Sequence, residues 1–383
     1  MAFDVIVIGM GGMGSAALSA LAQLGVRALG LEQYQLVHRR GSSHGHTRII
    51  RTAYYEHPSY VPLIQKAFYL WRQLEQRVGR NLLTELPCLS LGSPDGDLIQ
   101  GVLKSSREHR LDVEQLTGSE LSSRYPQFHL PESTVGVLER AAGYLRVEEC
   151  VRACLDDALS SERVEIRSEE TVIGWKVAGT GIEVRTTSGV YHADKLIVTG
   201  GAWSRALLAE LNIPLSVMRQ VQLWFTPANR PAQFEPDQFP IFMLDTPRGA
   251  YYGLPSIDNH GLKCARHYAA PELSDATGIN WEVVPEDQLP VQDFVRRYLP
   301  YASGPTSRGE VCLYTLSPDR HFIIDQHPHG PRVTFACGFS GHGFKFAPTV
   351  GKILADHALS GSTTDSIDLF RLARFHPDVG ERS

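Results

Sequence analysis

A glycine-rich loop directly after a short apolar run constrains this chain more than any other feature. Val5-Ile6-Val7-Ile8 is apolar at every position, as a strand buried on both faces must be. Gly9-Met10-Gly11-Gly12-Met13-Gly14 follows and satisfies the spacing G-x-G-x-x-G. Ala16, Ala17, Ala20, Leu21 and Leu24 then recur at helical spacing, Gly25 closes the helix, and Val26 to Leu31 read as a second strand ending at Glu32. This is a βαβ unit. In such a unit Gly9 permits the tight turn, Gly11 lets the backbone approach a pyrophosphate, and Gly14 lets helix and strand pack closely. The helix N-terminus turns unpaired N–H groups toward the phosphates. Glu32, eighteen residues after Gly14, can accept hydrogen bonds from ribose hydroxyls. A glycine turn that binds nothing fits the loop alone. In its strand–loop–helix context the loop predicts a dinucleotide site, without separating FAD from NAD.

The rest of the chain predicts an α/β protein of 383 residues in two domains. A helix is expected over roughly 62–76, with Leu63, Ala67, Leu70, Trp71 and Leu74 on one face. Residues 86–145 have weak periodicity. Between 164 and 199 short strands are expected at 164–166, 172–177, 182–187, 190–193 and 195–198, with Ser188-Gly189 as a hairpin turn. Residues 216–300, rich in aromatics and prolines, suggest a second, sheet-based domain. A strand at Val333-Thr334-Phe335, a glycine-dotted loop at 338–343 and a helix from Pro348 to Leu359 close the chain. The net charge of −5 gives no reason to expect nucleic acid. Six cysteines without a Cys-x-x-Cys pair argue against a disulfide scaffold and a zinc site, and Cys150 and Cys154 read as small core residues. The apolar start carries Asp4 and no basic region, and no window holds the ~18 uninterrupted apolar residues of a membrane span. A soluble, cytoplasmic protein is expected.

Four segments carry the candidate chemistry. Arg48 and Arg51 are separated by isoleucines in Thr47-Arg48-Ile49-Ile50-Arg51. They suit either a solvated basic patch or a bidentate clamp on a carboxylate. Lys345 lies between Phe344 and Phe346, where a lysine either snorkels to water or, if buried, holds an anion. Lys263, Ala265 and His267 share one face of a strand, with Tyr251-Tyr252 as its hairpin partner; a histidine so placed is more often structural than catalytic. Cys312, in Val311-Cys312-Leu313-Tyr314-Thr315, reads by itself as a core residue. Beside a dinucleotide it would offer a thiol for a covalent flavin.

Together these segments, with Phe322-Ile323-Ile324-Asp325 and Phe339-Ser340-Gly341-His342-Gly343-Phe344-Lys345, resemble the family of amine oxidases that holds the monomeric sarcosine oxidases, N-methyltryptophan oxidase and pipecolate oxidase. The likeness runs from about Asp4 to Phe375. It implies a Rossmann-like FAD-binding domain from 1–85, 146–215 and 309–383, and a discontinuous sheet-based substrate domain from 86–145 and 216–308. It implies one FAD per chain, joined through its 8α-methyl carbon to Cys312. Gly9, Gly11, Gly14, Glu32, Arg51, Gly341, His342 and Lys345 would complete the cofactor site. Arg48 and Lys345 would hold the substrate carboxylate, with Tyr252, Tyr314 and Met243 around it. Lys263, His267, Tyr252 and Arg48 would serve the chemistry, Lys263 near the flavin N5 where oxygen reacts.

The implied activity is oxidation of the N-methyl C–N bond of a small secondary amino acid by O₂, sarcosine first, by a monomer with no membrane or nucleic-acid partner. N-methyltryptophan, pipecolate and glycated amino acids are the alternatives within the family. A nicotinamide dehydrogenase and a flavin-binding protein without turnover are the alternatives outside it. The chain departs from the family pattern at His46, where Asp is expected, and around Thr52 and Tyr55. Met243 and Thr315 lean toward the sarcosine oxidases.

Overall fold

The computed structural model describes residues 2–375. Phe3–Ile8 pairs parallel with Ala28–Leu31 on one side and with Val190–Val198 on the other. Val164–Arg167 and Gly330–Cys337 extend the same parallel sheet outward. The apolar run at its centre is explained by its two covered faces. Val5 and Val7 enter one core with the helices Gly12–Gln23, Tyr60–Val78, Val147–Leu159 and Ala347–Ser360, while Ile6 and Ile8 enter a second core on the opposite face. Residues 190–193 and 195–198 form one continuous strand rather than two. Around residue 193 it finds an antiparallel neighbour in Gly181–Thr186 and a parallel one in Phe3–Ile8, so nothing breaks it.

The helix expected at 62–76 extends over Tyr60–Val78. Pro62 lies in its first turn, where a missing N–H costs nothing, and Gly79 ends it in the left-handed conformation at φ 66°. The weakly periodic region 86–145 holds short elements that share a second sheet: Cys88–Gly92, Val113–Leu116 and Val135–Glu139, with helices Asp97–His109 and Gly118–Arg124.

That second sheet has nine strands and is mostly antiparallel. Its core is built from Leu223, Phe225, Phe242, Leu244 and Tyr251, packed on Val291, Phe294 and Val295 of the helix Pro285–Tyr298. Thr306–Leu316 pairs with Ser216–Phe225 along almost its whole length. The domain boundary expected at 309 therefore cuts through a strand, and residues 309–316 belong to the second sheet by hydrogen bonding. Residues 376–383 of that expected segment lie outside the described residues. Loops of the first layer dock on this strand: Leu313 N–H donates to Gly41 O, Ser42 Oγ to Leu313 O, and Ser340 N–H to Thr315 O. A small third sheet of Thr47–Ile50, Gly143–Arg146 and Leu83–Glu85 brings Arg48 to the same junction. Among the described residues no helix is long and apolar enough to cross a membrane.

Candidate active site

A long cavity runs from Glu32 past the glycine loop to Tyr314 and Thr315. Gly9 has φ 88°, and a Cβ on it would lie 2.6 Å from Thr199 O; a Cβ on Gly14 would lie 1.7 Å from Gly9 O. Both glycines are required by the protein's own packing. Gly11 differs. A Cβ there would meet nothing closer than Ser43 Oγ at 3.6 Å, and Gly11 lines the cavity. Its bareness serves whatever fills the cavity. Ser43 Oγ accepts the Gly12 N–H at 3.0 Å at the start of the helix. Glu32 is buried, with one carboxylate oxygen accepting the Met10 N–H at 2.8 Å and the other the Tyr34 N–H at 3.0 Å. Those bonds fix its carboxylate in the cavity wall with lone pairs to spare. Thr315 Oγ1 is buried in the same wall without a partner, a group a ligand would satisfy. A glycine cradle, an anchored carboxylate and an orphaned hydroxyl in one elongated cavity fit a dinucleotide such as FAD.

A second cavity adjoins the first, and Arg48, Tyr314, Gly341 and Phe344 line both. Arg48 donates to Thr47 O, to Gln222 Oε1 and to Ser42 O at 3.0–3.1 Å. Its remaining N–H groups are available to an anion. Lys345 is buried, with Nζ donating to His342 O at 2.8 Å and lying 5.4 Å from the Tyr54 ring centroid. Burial, reinforced by Arg51 nearby, pushes its pKa down to about 7. Arg51 is tied to Glu56 at 2.8 Å and sits over the Tyr54 and Tyr55 rings. Burial opposes the Glu56 charge, yet Arg51 holds that carboxyl down to about 2. His267 Nδ1 lies 3.1 Å from Tyr314 OH, and burial pushes its pKa down to about 3, so the ring is neutral at ordinary pH. Burial raises Tyr252 to about 12; its ring lies edge-on to His267, and Met243 stands in the same wall.

The structure thus gathers Arg48, Lys345, Tyr252, His267, Tyr314 and Met243 around one cavity. It separates others. Arg51 and His342, expected along the cofactor, line only the second cavity, as does Lys345. Both His342 ring nitrogens are engaged by the protein, one with Tyr54 OH at 2.7 Å and one with Arg320 O at 3.0 Å. Lys263 and Cys312 are buried and are not among the residues lining either cavity. Lys263 Nζ donates to Gly45 O at 2.7 Å and Thr47 O at 2.8 Å and lies 5.0 Å from the Trp224 ring centroid; burial, then Arg48, press its pKa well down. Cys312 stands opposite Gln220 in the sheet; burial raises its thiol pKa, while Arg48, Gln222 and Lys263 pull the other way.

Sequence reasoning missed Glu56, Tyr54 and Gln222. Glu56 follows Arg51 by five residues in a loop, so no periodicity pairs them. Gln222 meets Arg48 only because 174 residues of chain fold back.

A family model described as FAD dependent oxidoreductase matches residues 4–357. The chain is 39% identical over 376 residues to the monomeric sarcosine oxidase of Streptomyces avermitilis, covering 96% of each. It is 36% identical over 377 residues to the N-methyl-L-tryptophan oxidase of Yersinia pestis, covering 98% of this chain and 100% of that one. Among solved structures it is similar to NikD, an amino acid oxidase of nikkomycin biosynthesis, with TM-score 0.85 at 24% identity over 97% of both chains. It is also similar to glycine oxidase from Geobacillus kaustophilus, with TM-score 0.81 at 18% identity over 97% of this chain and 99% of that one. At these identities the two structural likenesses are of fold.

Proposed function

We propose, from the premise that this chain belongs to the FAD-dependent oxidoreductases, that it oxidises the N-methyl C–N bond of a small secondary amino acid, sarcosine before others, giving glycine, formaldehyde and hydrogen peroxide. One observation carries the reading: an arginine–lysine cavity adjoins the cavity of the glycine loop, with Tyr314 and Arg48 in both walls. A substrate held by its carboxylate there lies against the cofactor.

FAD, when bound, supplies the two-electron acceptor that O₂ restores. The glycine loop and Glu32 would hold its dinucleotide, and Cys312, buried next to Leu313 and Tyr314 of the cavity wall, would carry it as a thioether only with its sulfur turned toward the cavity. Arg48 and Lys345 bind the substrate carboxylate by charge-assisted hydrogen bonds and so fix where its N-methyl group lies. A bound carboxylate also restores the Lys345 charge that burial disfavours. Tyr252, Tyr314 and Met243 close the walls around the small side of the substrate. His267, neutral and bonded to Tyr314 OH, is placed to accept a hydrogen bond from the amine; the amine must shed a proton to react, and the carboxylates of Glu56, Asp97 and Asp245 line the same cavity. Lys263 holds a buried ammonium with a depressed pKa. Such a group attracts negative charge developing on oxygen and gives up a proton readily. The free, buried state of all six cysteines suits a reducing cytoplasm, and a monomer is consistent with the names of the relatives.

Sarcosine is favoured over N-methyltryptophan by the relatives of higher identity and by Met243 in the cavity wall. The test is peroxide release by purified protein with sarcosine, N-methyltryptophan and pipecolate. The highest kcat/KM is expected with sarcosine. A preference for either bulkier substrate would reassign the substrate within the family, and no peroxide with any of them, flavin being bound, would overturn the activity.

A further inference from the structure

Gly45-His46-Thr47 is a tightly turned stretch of backbone beside the site. Thr47 N–H donates to Gly45 O at 2.8 Å across His46, whose φ is 68°. An i to i+2 bond around a residue of positive φ is a γ-turn of the rarer, strained hand. Strain of this kind in a residue with a Cβ persists only where surrounding contacts impose it. They are present here. The Glu148 carboxylate accepts the Gly45 N–H at 2.8 Å and the His46 N–H at 3.0 Å. Val147 N–H donates to His46 O at 3.0 Å.

The turn aims two carbonyls one way. Gly45 O and Thr47 O, on either side of His46, are the acceptors of Lys263 Nζ. The His46 side chain goes elsewhere. Its Nε2 lies 3.2 Å from Asp258 Oδ2, and its ring meets His260 edge-on at 4.6 Å. Asp258 is held in turn by Arg146, which forms the end of the strand beside Thr47. Asp258 and His260 lie in the loop leading into Leu262–Arg266, the strand that carries Lys263. One side chain therefore ties the peptide that cradles the ammonium to the loop that sets the lysine's own strand.

We infer that His46 is a positioning residue for Lys263: through its contacts with Asp258 and His260 it holds the Gly45 and Thr47 carbonyls in register with the ammonium. This rests on the reading of Lys263 as the group that serves oxygen. It explains why a residue other than glycine occupies a left-handed position there. Without the tether the turn keeps its Glu148 and Val147 contacts but loses its link to the lysine's strand, and the ammonium loses its fixed place between the two carbonyls.

The test uses photoreduced holoenzyme mixed with O₂, so that the reoxidation reading assumes no substrate, together with the flavin midpoint potential measured by dye equilibration. Lys263→Met should slow reoxidation strongly and make the potential more negative. His46→Ala should slow reoxidation about tenfold, move the potential the same way by less, and leave anaerobic reduction by sarcosine within twofold. Asp258→Asn, which loosens the tether from its other end, should reproduce the direction of both effects. On the Lys263→Met background His46→Ala should change neither reading. If Lys263→Met reoxidises at the wild-type rate, the role of the lysine itself fails. If Lys263→Met is slow but His46→Ala is normal, or slows the Lys263→Met enzyme by the same factor as the wild type, the positioning role of His46 fails alone.

Discussion

Lys345 shows what burial does to one side chain. An ordinary lysine titrates near 10.5, and here burial brings the value to about 7. Between those values the unfolded chain binds more protons than the folded one, so this group makes the unliganded protein more stable as pH rises through the window. Under the proposed carboxylate clamp, binding runs the other way, because the ligand would need the ammonium. Affinity for a simple carboxylate inhibitor should be full below about pH 7 and fall above it by up to about tenfold per unit. Titration of inhibitor binding by flavin absorbance checks this, and Lys345→Met should flatten the profile. Arg51 and Glu56 make a different kind of pair, buried on both sides. Glu56→Gln should destabilise the fold by about 3–5 kcal/mol in denaturant titration, because the Arg51 charge is left buried and unpaired. Cys312→Ser should give a white pellet on acid precipitation where the wild type gives a yellow one. The arginine and lysine could be picked out of the sequence as cations flanked by apolar residues. Their burial and the Glu56 partner could not, since both depend on segments distant in the chain.

At the scale of elements, the glycine loop carries two separable demands. Gly14 is required by packing, since its Cβ would overlap Gly9 O, whereas Gly11 has room on the protein side. Gly14→Ala should therefore lower the melting temperature of the protein with or without flavin. Gly11→Ala should leave the flavin-free melting temperature near wild type and lower flavin content. Differential scanning fluorimetry and the absorbance ratio of purified protein separate the two. The βαβ unit was legible because strand, loop and helix all lie within the first 32 residues, where apolar period and glycine spacing are local properties. The strand Thr306–Leu316, which the expected boundary at 309 divides, was not legible as one element for the opposite reason. Its partner Ser216–Phe225 lies about ninety residues earlier, and an apolar run does not say which sheet it joins.

The molecule as a whole places its candidate site where two sheets meet. The glycine-loop cavity is walled by the first layer, by loops 41–48 and by Leu313, Tyr314 and Thr315 of the second sheet. A cofactor there binds across the junction and stabilises both layers together. Flavin stripped from the Cys312→Ser protein should lower its melting temperature in one transition. Adding FAD back at a hundredfold excess over its Kd should recover about 2.7 kcal/mol, and two separate transitions would count against a shared site. By itself the sequence determined the βαβ unit, the dinucleotide loop and the residue types able to bind an anion, because strand and helix period and turn chemistry act over a few neighbours. Only the tertiary structure decided which cations face the cavity, which are pressed toward neutrality, and that Lys263 takes its acceptors from residues 216 and 218 positions away. Burial and electrostatic pairing belong to segments brought together by folding, and no local pattern encodes them.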